Sequence, residues 1–384
     1  MKILWVNPSF LDYRVPVYKK IHELAEGNFS LIYSKKRVPE RVINKIETAI
    51  GEDAIGLENE AVLHMPGQAD FSNMEINIPY QPGLNKAIAS VDADVIIGEG
   101  FFQWTPIALW KARLKRKKFL IAYERTAHTE RNCPRWRKLY RKIISKFVDG
   151  YLANGLLTKE YLLQLGVSEK KIFIGGMSAD SENLAKEINS CTNEEKDNLK
   201  TQLSIKKDGK TFLYVGQITE RKGVIYLLNA WRKHIEKYPN DSLLAIGTGP
   251  LYDKYSKEFS DCASIKLTGN VDYDLIYRYY AIADVFIIPT LEDNWSLVVP
   301  EAMACGLPIA CSVYNGCYPE LVHEGVNGKL FDPLKEESIV ETLKYFHDRD
   351  LEPMKKASIA IEKKYSSDIV AQNIFNSCRA FNKN

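Results

Sequence analysis

Apolar residues occur in short runs that alternate with amphipathic segments along nearly the whole chain. In the first half, six of these short apolar runs predict β-strands: KILWVN, FSLIYS, DVIIGEG, KFLIAYE, GYLAN and KIFIGG. Helical spacing between several of them predicts helices at residues 15–25, 106–115 and 134–147. The last two begin with a proline, which suits a first helical turn.

The second half repeats this alternation. Its predicted strands are TFLYVGQ, SLLAIGTG, SIKLTGN, DVFIIPT, LPIACSV and GKLFD, and amphipathic helices are predicted at VIYLLNAWRKHIEKY and DLIYRYYAIA. Continuous apolar strands that alternate with helices form parallel sheets covered on both faces. The chain is therefore predicted to be α/β, with two doubly wound, Rossmann-like domains.

A polar segment separates the two series of strands. Residues 177–209 are charged and contain no strand-like run, which predicts a connection with a lead-in helix. The first domain is then expected over residues 1–176 and the second over residues 210–365. A C-terminal helix at about 366–384 is expected to pack back on the first domain.

The composition is that of an ordinary globular protein. Of 384 residues, 45% are hydrophobic and 26% are charged, so long disordered regions are not expected. No apolar run reaches the length of about 18 residues that a membrane-spanning helix needs. The N-terminal MKILWVNPSF predicts a first strand rather than a signal peptide. The seven cysteines form no C-x-x-C pair, which predicts a cytoplasmic protein without disulfides or bound metal.

Positive charge is concentrated in two places, although the formal net charge is only +3. Residues 111–118 contain six basic residues, and residues 131–146 contain seven and no acid. The second segment has helical spacing, with Trp136, Leu139 and Tyr140 among its cations. Such a face suits an anionic membrane surface, or it is a solvated helix face whose aromatic residues belong to the core. A nucleic-acid partner is not expected.

Glycines follow several of the predicted strands in the second half. In parallel α/β sheets ligands bind beyond the carboxyl ends of the strands, and with two such domains we expect a site in the cleft where they face each other. Gly216 opens the turn after one strand, and Lys222 and Gly223 precede a helix whose free N–H groups suit a phosphate. Gly247 and Gly269 follow two further strands. The alternative is a set of ordinary turns with a solvated lysine.

The segment LEDNWSLVVPEAMACGLPIA places one carboxylate in a loop and another at the start of a helix. Asp293 follows a buried strand, and Glu301 lies in or near the first turn of the next helix. Pro300 is tolerated in that first turn, and Gly306 is expected to end the helix. Carboxylates only accept hydrogen bonds, so the pair suits the hydroxyl groups of a sugar. The alternative is that Glu301 complements the helix dipole, a contribution of about 0.3–1 kcal/mol.

Together these segments resemble the retaining glycosyltransferases of family 4, which have the GT-B architecture of two Rossmann-like domains. VGQITERKG resembles the G-R-L-x-x-x-K-G turn of that family. DNWSLVVPEAMACGLPI resembles its E-x7-E segment and keeps the spacing between Asp293 and Glu301, and GCYPELVHEGVNGKLFDP resembles the usual continuation. The resemblance covers nearly the whole chain and is strongest over residues 216–333.

This resemblance implies a role for individual residues of a nucleotide-sugar site. Lys222 would bind the donor diphosphate, Glu301 the donor ribose, and Asp293 would face the transferred sugar. No metal or other cofactor would be needed, because the lysine and helix N–H groups neutralise the diphosphate. The anomeric configuration would be retained by front-face attack. The remaining donor contacts are expected at Gly216, Gln217, Arg221, Gly247, Asn270, Val271, Asn294, Trp295, Ser296 and Leu297.

Three departures from the family pattern are visible. Gln217 replaces the usual phosphate-binding arginine, for which Arg221 would compensate, and Asp293 replaces the first glutamate. PSFLDYR replaces an N-terminal Gly-Gly loop. Glu124 stands where the family often has a histidine, and His128 follows four residues later. Either residue would contact the acceptor as a catalytic group, or both are structural surface residues.

The expected function is transfer of a sugar, with retention, from a nucleotide-sugar donor to a glycan or lipid-linked acceptor in cell-envelope polysaccharide synthesis. The enzyme would be cytoplasmic and peripheral on the inner face of the membrane. Two alternatives stay open at this stage. One is a sugar-nucleotide epimerase of the same architecture, and the other is a non-catalytic subunit that binds a nucleotide sugar.

Overall fold

Both series of predicted strands form parallel sheets, one in each of two units of the chain. The computed structural model describes residues 1–65, 76–179 and 181–383. Unit 1 comprises Met1–Asp180 together with Tyr365–Asn384, and unit 2 comprises Ser181–Lys364.

Unit 1 is built from nine described strands and the helices between them. The strands are β1 (Ile3–Val6), β2 (Phe29–Ser34), β3 (Ala54–Leu57), β4 (Ala61–Met65), β5 (Ile76–Tyr80), β6 (Val95–Glu99), β7 (Lys118–Tyr123), β8 (Gly150–Ala153) and β9 (Ile172–Ile174). The helices are α1 (Arg14–Leu24), α2 (Glu40–Ile50), α3 (Leu84–Ser90), α4 (Thr105–Leu114), α5 (Arg135–Ser145) and α6 (Leu156–Gln164). The parallel sheet has the order β3-β2-β1-β6-β7-β8-β9, and β4 pairs with β5 as a separate antiparallel ribbon.

Unit 2 has the same kind of alternation. Its strands are β10 (Thr211–Val215), β11 (Ser242–Ile246), β12 (Ile265–Gly269), β13 (Val285–Ile288), β14 (Ile309–Ser312) and β15 (Gly328–Phe331), in the order β12-β11-β10-β13-β14-β15. Its helices are α7 (Ser181–Ser190), α8 (Asn193–Gln202), α9 (Val224–Lys237), α10 (Tyr252–Glu258), α11 (Ile276–Ile282), α12 (Val298–Ala304), α13 (Tyr318–Leu321), α14 (Glu336–His347) and α15 (Glu352–Glu362).

The strands of unit 1 are buried on both faces because helices cover both. Along β1, Ile3 and Trp5 pack toward α1 and α2, whereas Leu4 and Val6 pack toward α3 to α6. The final helix, α16 (Ser367–Lys383), returns to unit 1 and joins the layer of α1 and α2. The ring of Phe381 in α16 occupies the space that a Cβ at Gly150 would need.

Each sheet contains a point at which the strand order reverses. In unit 1 the chain runs outward from β1 to β3 and then continues on the other side of β1 with β6. In unit 2 it runs from β10 to β12 and continues beside β10 with β13. The loops after the two central strands of each sheet diverge, so the carboxyl end of this strand pair is where ligands bind in such folds.

All twelve strands predicted from apolar runs are present, and the α/β prediction with two Rossmann-like units is confirmed. Strands β3, β4 and β5 were not predicted. Strand β3 is a short edge strand whose four residues are only half-buried. The segment 177–209, expected as a connection, contains α7 and α8. These two helices pack on α11 and α12 within unit 2. Among the described residues no helix is both long and apolar enough to cross a membrane.

Candidate functional site

Lys222 and Asp293 meet at the point of unit 2 where the strand order reverses. Lys222 lies in the loop after β10 and Asp293 in the loop after β13, the two central strands of that sheet. The distance from Lys222 Nζ to Asp293 Oδ2 is 2.5 Å. The two side chains are only 15% and 12% exposed, so they form a largely buried ion pair.

The loop after β10 reaches its partner because a glycine permits close packing. Gly223 has φ 64°, and a Cβ there would lie 2.2 Å from the carbonyl oxygen of Pro289. Only glycine therefore fits between the one-turn helix that carries Lys222 and the start of α9. The Leu291 N–H donates to the carbonyl oxygen of Arg221 at 2.9 Å, which ties the two loops together beside the ion pair.

The loop after β13 is held from both sides. The Trp295 N–H donates to Asp293 Oδ1 at 3.1 Å, which fixes the rotation of the carboxylate. The Gly316 N–H donates to the carbonyl oxygen of Asp293 at 2.9 Å, and a Cβ at Gly316 would lie 2.0 Å from the carbonyl oxygen of Asn294. The carboxylate is therefore fixed in position by the backbone of its own loop and of the loop after β14.

The ion pair sets the charge of this site. Burial by itself would raise the pKa of Asp293, but the charge and hydrogen bond of Lys222 hold that pKa below its usual range. Burial raises the pKa of Tyr214, and the charge of Asp293 raises it further. The Tyr214 hydroxyl therefore keeps its proton and donates it in a hydrogen bond to the carbonyl oxygen of Gln217 at 2.8 Å. Asp293 is therefore a carboxylate at neutral pH, paired with the ammonium group of Lys222.

Glu301 lies at the start of α12, as the sequence predicted. The hydroxyl of Tyr280 is 3.4 Å from Glu301 Oε2, at the long end of hydrogen-bond distances. The backbone before α12 is organised by Asn315, a fully buried residue whose Oδ1 accepts from the N–H groups of Ser296 and Cys317, each at 3.4 Å. Sequence reasoning missed Asn315, although it follows β14 at the same edge of the sheet.

The other predicted donor-side residues lie at the carboxyl ends of β10, β11 and β12. A Cβ at Gly247 would lie 2.0 Å from the carbonyl oxygen of Gly216, and the Gly247 N–H donates to that of Gly269 at 2.8 Å. These strand ends are therefore in backbone contact. Exposed side chains of Gln217 and Asn270 surround them, together with half-buried Val271.

The guanidinium group of Arg221 is held by a hydrogen bond to the backbone. Its Nη1 donates to the carbonyl oxygen of Glu292 at 3.2 Å, so part of its hydrogen-bonding capacity holds the loop that carries Asp293. The prediction that Arg221 compensates for Gln217 stays a prediction. Asn294 and Leu297 are half-buried, while Trp295 and Ser296 are buried.

Glu124 and His128 lie in unit 1, in the segment after β7. Glu124 is exposed, and His128 is half-buried in a turn where Arg131 Nη1 donates to the His128 carbonyl oxygen at 2.6 Å. Glu124 influences a second acid, Glu99, whose pKa it helps to raise. Of the four residues predicted as catalytic, Glu124 and His128 therefore lie in unit 1, whereas the Lys222–Asp293 ion pair lies in unit 2.

Sequence reasoning missed Glu99, the last residue of β6. It lies at the point of unit 1 where the strand order reverses, with Asn7 Nδ2 donating to Glu99 Oε1 at 3.0 Å and Arg14 Nη2 at 3.6 Å. Its side chain is 22% exposed. Burial raises the pKa of Glu99 to about 7, against the charge of Arg14 and aided by that of Glu124. A glutamate at the end of an apolar strand, as in DVIIGEG, was the available signal.

In the part of the chain that the structure describes, no group of three or more His, Cys, Asp or Glu side chains has the arrangement to hold a metal ion.

Comparison with known families agrees with this geometry. Residues 195–365 match the sequence model of the family described as Glycosyl transferases group 1. The matched segment contains Lys222, Asp293 and Glu301, together with the loops that hold them. This segment of the chain is similar to the group 1 glycosyl transferases. The resemblance stated from the sequence motifs is therefore confirmed.

Two curated glycosyltransferases match part of the chain. An uncharacterized glycosyltransferase of Methanocaldococcus jannaschii is 33% identical over 150 residues, 38% of this chain and 38% of that protein. The lipopolysaccharide 1,2-N-acetylglucosaminetransferase of Salmonella typhimurium is 30% identical over 190 residues, 46% of this chain and 50% of that protein. The chain thus spans half or less of the length of these two relatives.

A solved structure matches the whole chain. Alr3699/HepE of Anabaena, crystallised in complex with UDP, superposes with a TM-score of 0.75 at 15% identity, covering 99% of this chain and 100% of that one. Identity this low shows the fold alone. The fold of the chain is therefore GT-B, and the segment that matches the family model lies in its second half.

Proposed function

We propose that this protein is a retaining glycosyltransferase that moves a sugar from a nucleotide-sugar donor to a glycan or lipid-linked acceptor in the synthesis of envelope polysaccharide. The observation that carries the proposal is the Lys222–Asp293 ion pair at the reversal point of the unit 2 sheet. The UDP complex of Alr3699/HepE and the lipopolysaccharide transferase of Salmonella typhimurium support the donor and acceptor classes.

Lys222 is proposed to bind the donor diphosphate. Its ammonium lies just before α9, a helix of 14 residues whose first N–H groups carry a partial positive charge. A cation and free N–H groups together neutralise a diphosphate, so we propose that the reaction needs no metal ion. Glu301 would accept hydrogen bonds from ribose hydroxyls, because a carboxylate near neutral pH is an acceptor only.

Asp293 is proposed to face the transferred sugar. The pair with Lys222 keeps it ionised, and the Trp295 N–H keeps its carboxylate in one orientation. A fixed carboxylate stabilises the positive charge that develops at the anomeric carbon as the bond to the leaving diphosphate breaks. Retention would follow if the acceptor oxygen attacks from the side on which the diphosphate leaves and gives its proton to that phosphate.

The acceptor is proposed to bind to unit 1, at the carboxyl end of its sheet. Glu99 and Glu124 are candidate acceptors for acceptor-sugar hydroxyls, with His128 as a further polar contact. Seven unpaired cysteines fit a reducing compartment, and we propose the cytoplasmic side of the membrane as the place of reaction.

A panel of nucleotide sugars tests the proposal. The matching donor at about 100 times its Kd should add about 2.7 kcal/mol to stability, measured as a rise in melting temperature. Incubation with that donor and a glycan acceptor should then release nucleoside diphosphate and give a product whose anomeric configuration, read by NMR, equals that of the donor.

Three outcomes would contradict the proposal. A product that is an epimer of the donor sugar, formed without an acceptor, would identify a sugar-nucleotide epimerase. Tight donor binding without turnover on any acceptor would identify a non-catalytic binding subunit. No stabilisation by any nucleotide sugar would exclude the site itself.

A further inference from the structure

Helix α5 presents a row of large apolar side chains to solvent. Trp136, Leu139 and Ile143 are 51%, 60% and 48% exposed, and Phe147, just after the helix, is 53% exposed. Their spacing of three and four residues places them along one side of the helix. Isolated exposed apolar residues are common, but a continuous row of four marks an interaction surface.

Two of the cations of this helix face inward instead. Arg141 Nη1 lies 2.5 Å from Oε2 of Glu130, a fully buried acid, and 3.2 Å from the Tyr161 hydroxyl. Arg137 is also buried, with its guanidinium 5.7 Å from the centre of the Phe102 ring. Since a buried carboxylate requires a cation, Glu130 orients α5 with these arginines toward the sheet.

Of the two sequence-based interpretations, the solvated face whose aromatic residues belong to the core does not fit exposed Trp136. The membrane-surface interpretation stays a prediction, although only part of the positive charge lies on the outer face. In the structure Arg137 and Arg141 are buried and Trp136 is exposed, while Tyr140 stacks on Phe102 with 5.0 Å between ring centres. The apolar row is thus the outward face of α5, not part of the core.

Three exposed cations lie beside the apolar row, and Lys138 is half-buried. Arg135, Lys142 and Lys146 are exposed, and α5 contains no acidic residue. Helix α4 packs on the same face of the unit 1 sheet and exposes two further apolar side chains, Trp110 and Leu114. The docking face, defined as residues 135, 136, 139, 142, 143, 146 and 147, therefore combines apolar and positively charged groups on one surface.

We propose that the docking face inserts into the interfacial layer of an anionic lipid membrane. Such a layer offers hydrocarbon beside negatively charged phosphate, which matches the alternation of apolar and basic groups along the face. Tryptophan suits this layer because it has an apolar body and a polar N–H, and each cation near an anionic surface adds a favourable electrostatic attraction. A second copy of this chain would bring the same cations against each other and so lacks this complementarity.

Sedimentation with vesicles tests the inference without any enzymatic assay. The full chain should bind vesicles of phosphatidylcholine and phosphatidylglycerol at low salt and bind vesicles of phosphatidylcholine alone much more weakly. Leu139→Gln with Ile143→Gln should weaken binding by roughly tenfold or more, since each side chain would otherwise bury most of its apolar surface. Arg135→Gln, Lys142→Gln and Lys146→Gln together should weaken binding to the anionic vesicles and reduce its dependence on salt.

Matched controls distinguish insertion of the docking face from non-specific adsorption to vesicles. Leu334→Gln with Ile359→Gln changes two exposed apolar residues of unit 2 and should leave vesicle binding unchanged. All variants change exposed side chains, so their circular dichroism spectra should equal that of the wild type. Bromine on the lipid acyl chains should quench tryptophan fluorescence in the wild type, and Trp136→Phe should remove most of that quenching.

Three results would overturn the inference. The first is a wild-type protein that ignores anionic vesicles at low salt. The second is a Leu139→Gln, Ile143→Gln variant that binds as tightly as wild type, which would reduce the face to a basic patch without insertion. The third is dimerisation through the docking face. In that case the wild type would elute from gel filtration as a dimer and the Leu139→Gln, Ile143→Gln variant as a monomer. Failure of the donor panel would leave this inference untouched, because vesicle binding requires no donor.

Discussion

Lys222 and Asp293, 71 residues apart in the chain, form a largely buried ion pair with 2.5 Å between Nζ and Oδ2. Each residue follows one of the two central strands of the unit 2 sheet, so their contact depends on the parallel pairing of β10 with β13. A diphosphate bound at Lys222 would have to share the ammonium with this carboxylate. Nucleotide affinity and sugar transfer should therefore respond in opposite ways to the loss of each partner.

Lys222→Met should weaken donor binding while keeping the aliphatic bulk of the side chain. A charge-assisted hydrogen bond contributes about 1.5–3 kcal/mol, so the Kd for nucleoside diphosphate should rise by roughly 10- to 150-fold in calorimetry. Lys233→Met, on the exposed side of α9 where it pairs with Glu336, is the matched control and should bind as wild type. Equal affinity of both variants would remove Lys222 from the phosphate site.

Asp293→Asn should have the opposite signature. The change removes a negative charge beside Lys222, so nucleoside diphosphate should bind at least as tightly as to wild type. Turnover should fall by roughly 100-fold or more, the scale on which one preorganised charge acts on a transition state. Initial rates at saturating donor, together with calorimetry, separate the two effects. A loss of nucleotide affinity with normal turnover would contradict the proposed role.

Glu301→Gln should loosen the nucleotide with little further effect on chemistry. Loss of a charged acceptor for ribose hydroxyls should raise the Kd for nucleoside diphosphate by about tenfold or more. The turnover number at saturating donor should change by a smaller factor. Tyr280→Phe removes the hydroxyl 3.4 Å from Glu301 Oε2 and leaves the carboxylate in place, so its effect should be several times smaller. A Tyr280→Phe variant that loses as much affinity as Glu301→Gln would assign Glu301 to a structural role.

Glu99 should make unit 1 less stable as pH rises. Its pKa is raised from 4.5 to about 7 in the folded chain, so the folded state holds a proton that the unfolded state loses. This contribution is fully present below pH 4.5 and is lost as pH rises through about 7. The melting temperature of Glu99→Gln should therefore decline less than that of wild type over this window. Glu58→Gln, a change at an exposed acid of the same unit, should follow the wild-type curve.

Asp241 should stabilise unit 2 through a buried network. His234 Nε2 lies 2.8 Å and His347 Nδ1 2.9 Å from Asp241 Oδ2. Burial alone would raise the pKa of Asp241, but these contacts and the backbone N–H of Lys210 hold it below its usual value of 3.8. The contribution is therefore present above pH 3.8 and is lost as pH falls through the lower, folded-state pKa.

Asp241→Ala tests this network at neutral pH. Removal of one partner from a buried charged cluster should lower the free energy of unfolding by about 3–5 kcal/mol, seen as a lower urea midpoint in circular dichroism. Asp261→Ala breaks an exposed pair with Arg232 and should cost less than about 1 kcal/mol. Similar losses in both variants would show that the network adds nothing beyond a surface pair.

The sequence by itself determined the two sheets and the edge of each at which the polar loops lie. Buried parallel strands are continuous apolar runs, and this local pattern predicted twelve of the fifteen strands that the structure describes. It also placed Lys222 before a helix and Glu301 in a first turn, because glycine and proline mark such boundaries in the chain.

Only the tertiary structure decided which side chains meet. The Lys222–Asp293 contact depends on β10 lying beside β13. The contacts of Glu99 with Asn7 and Arg14 depend on β6 lying beside β1, because both partners follow β1 in the chain. The orientation of α5 was likewise beyond the sequence. Its hydrophobic pattern has one strongly apolar side, and that pattern alone does not give the observed orientation. A single buried acid from a preceding turn, Glu130, fixes it, because an unpaired carboxylate in the core is far less stable than one paired with Arg141.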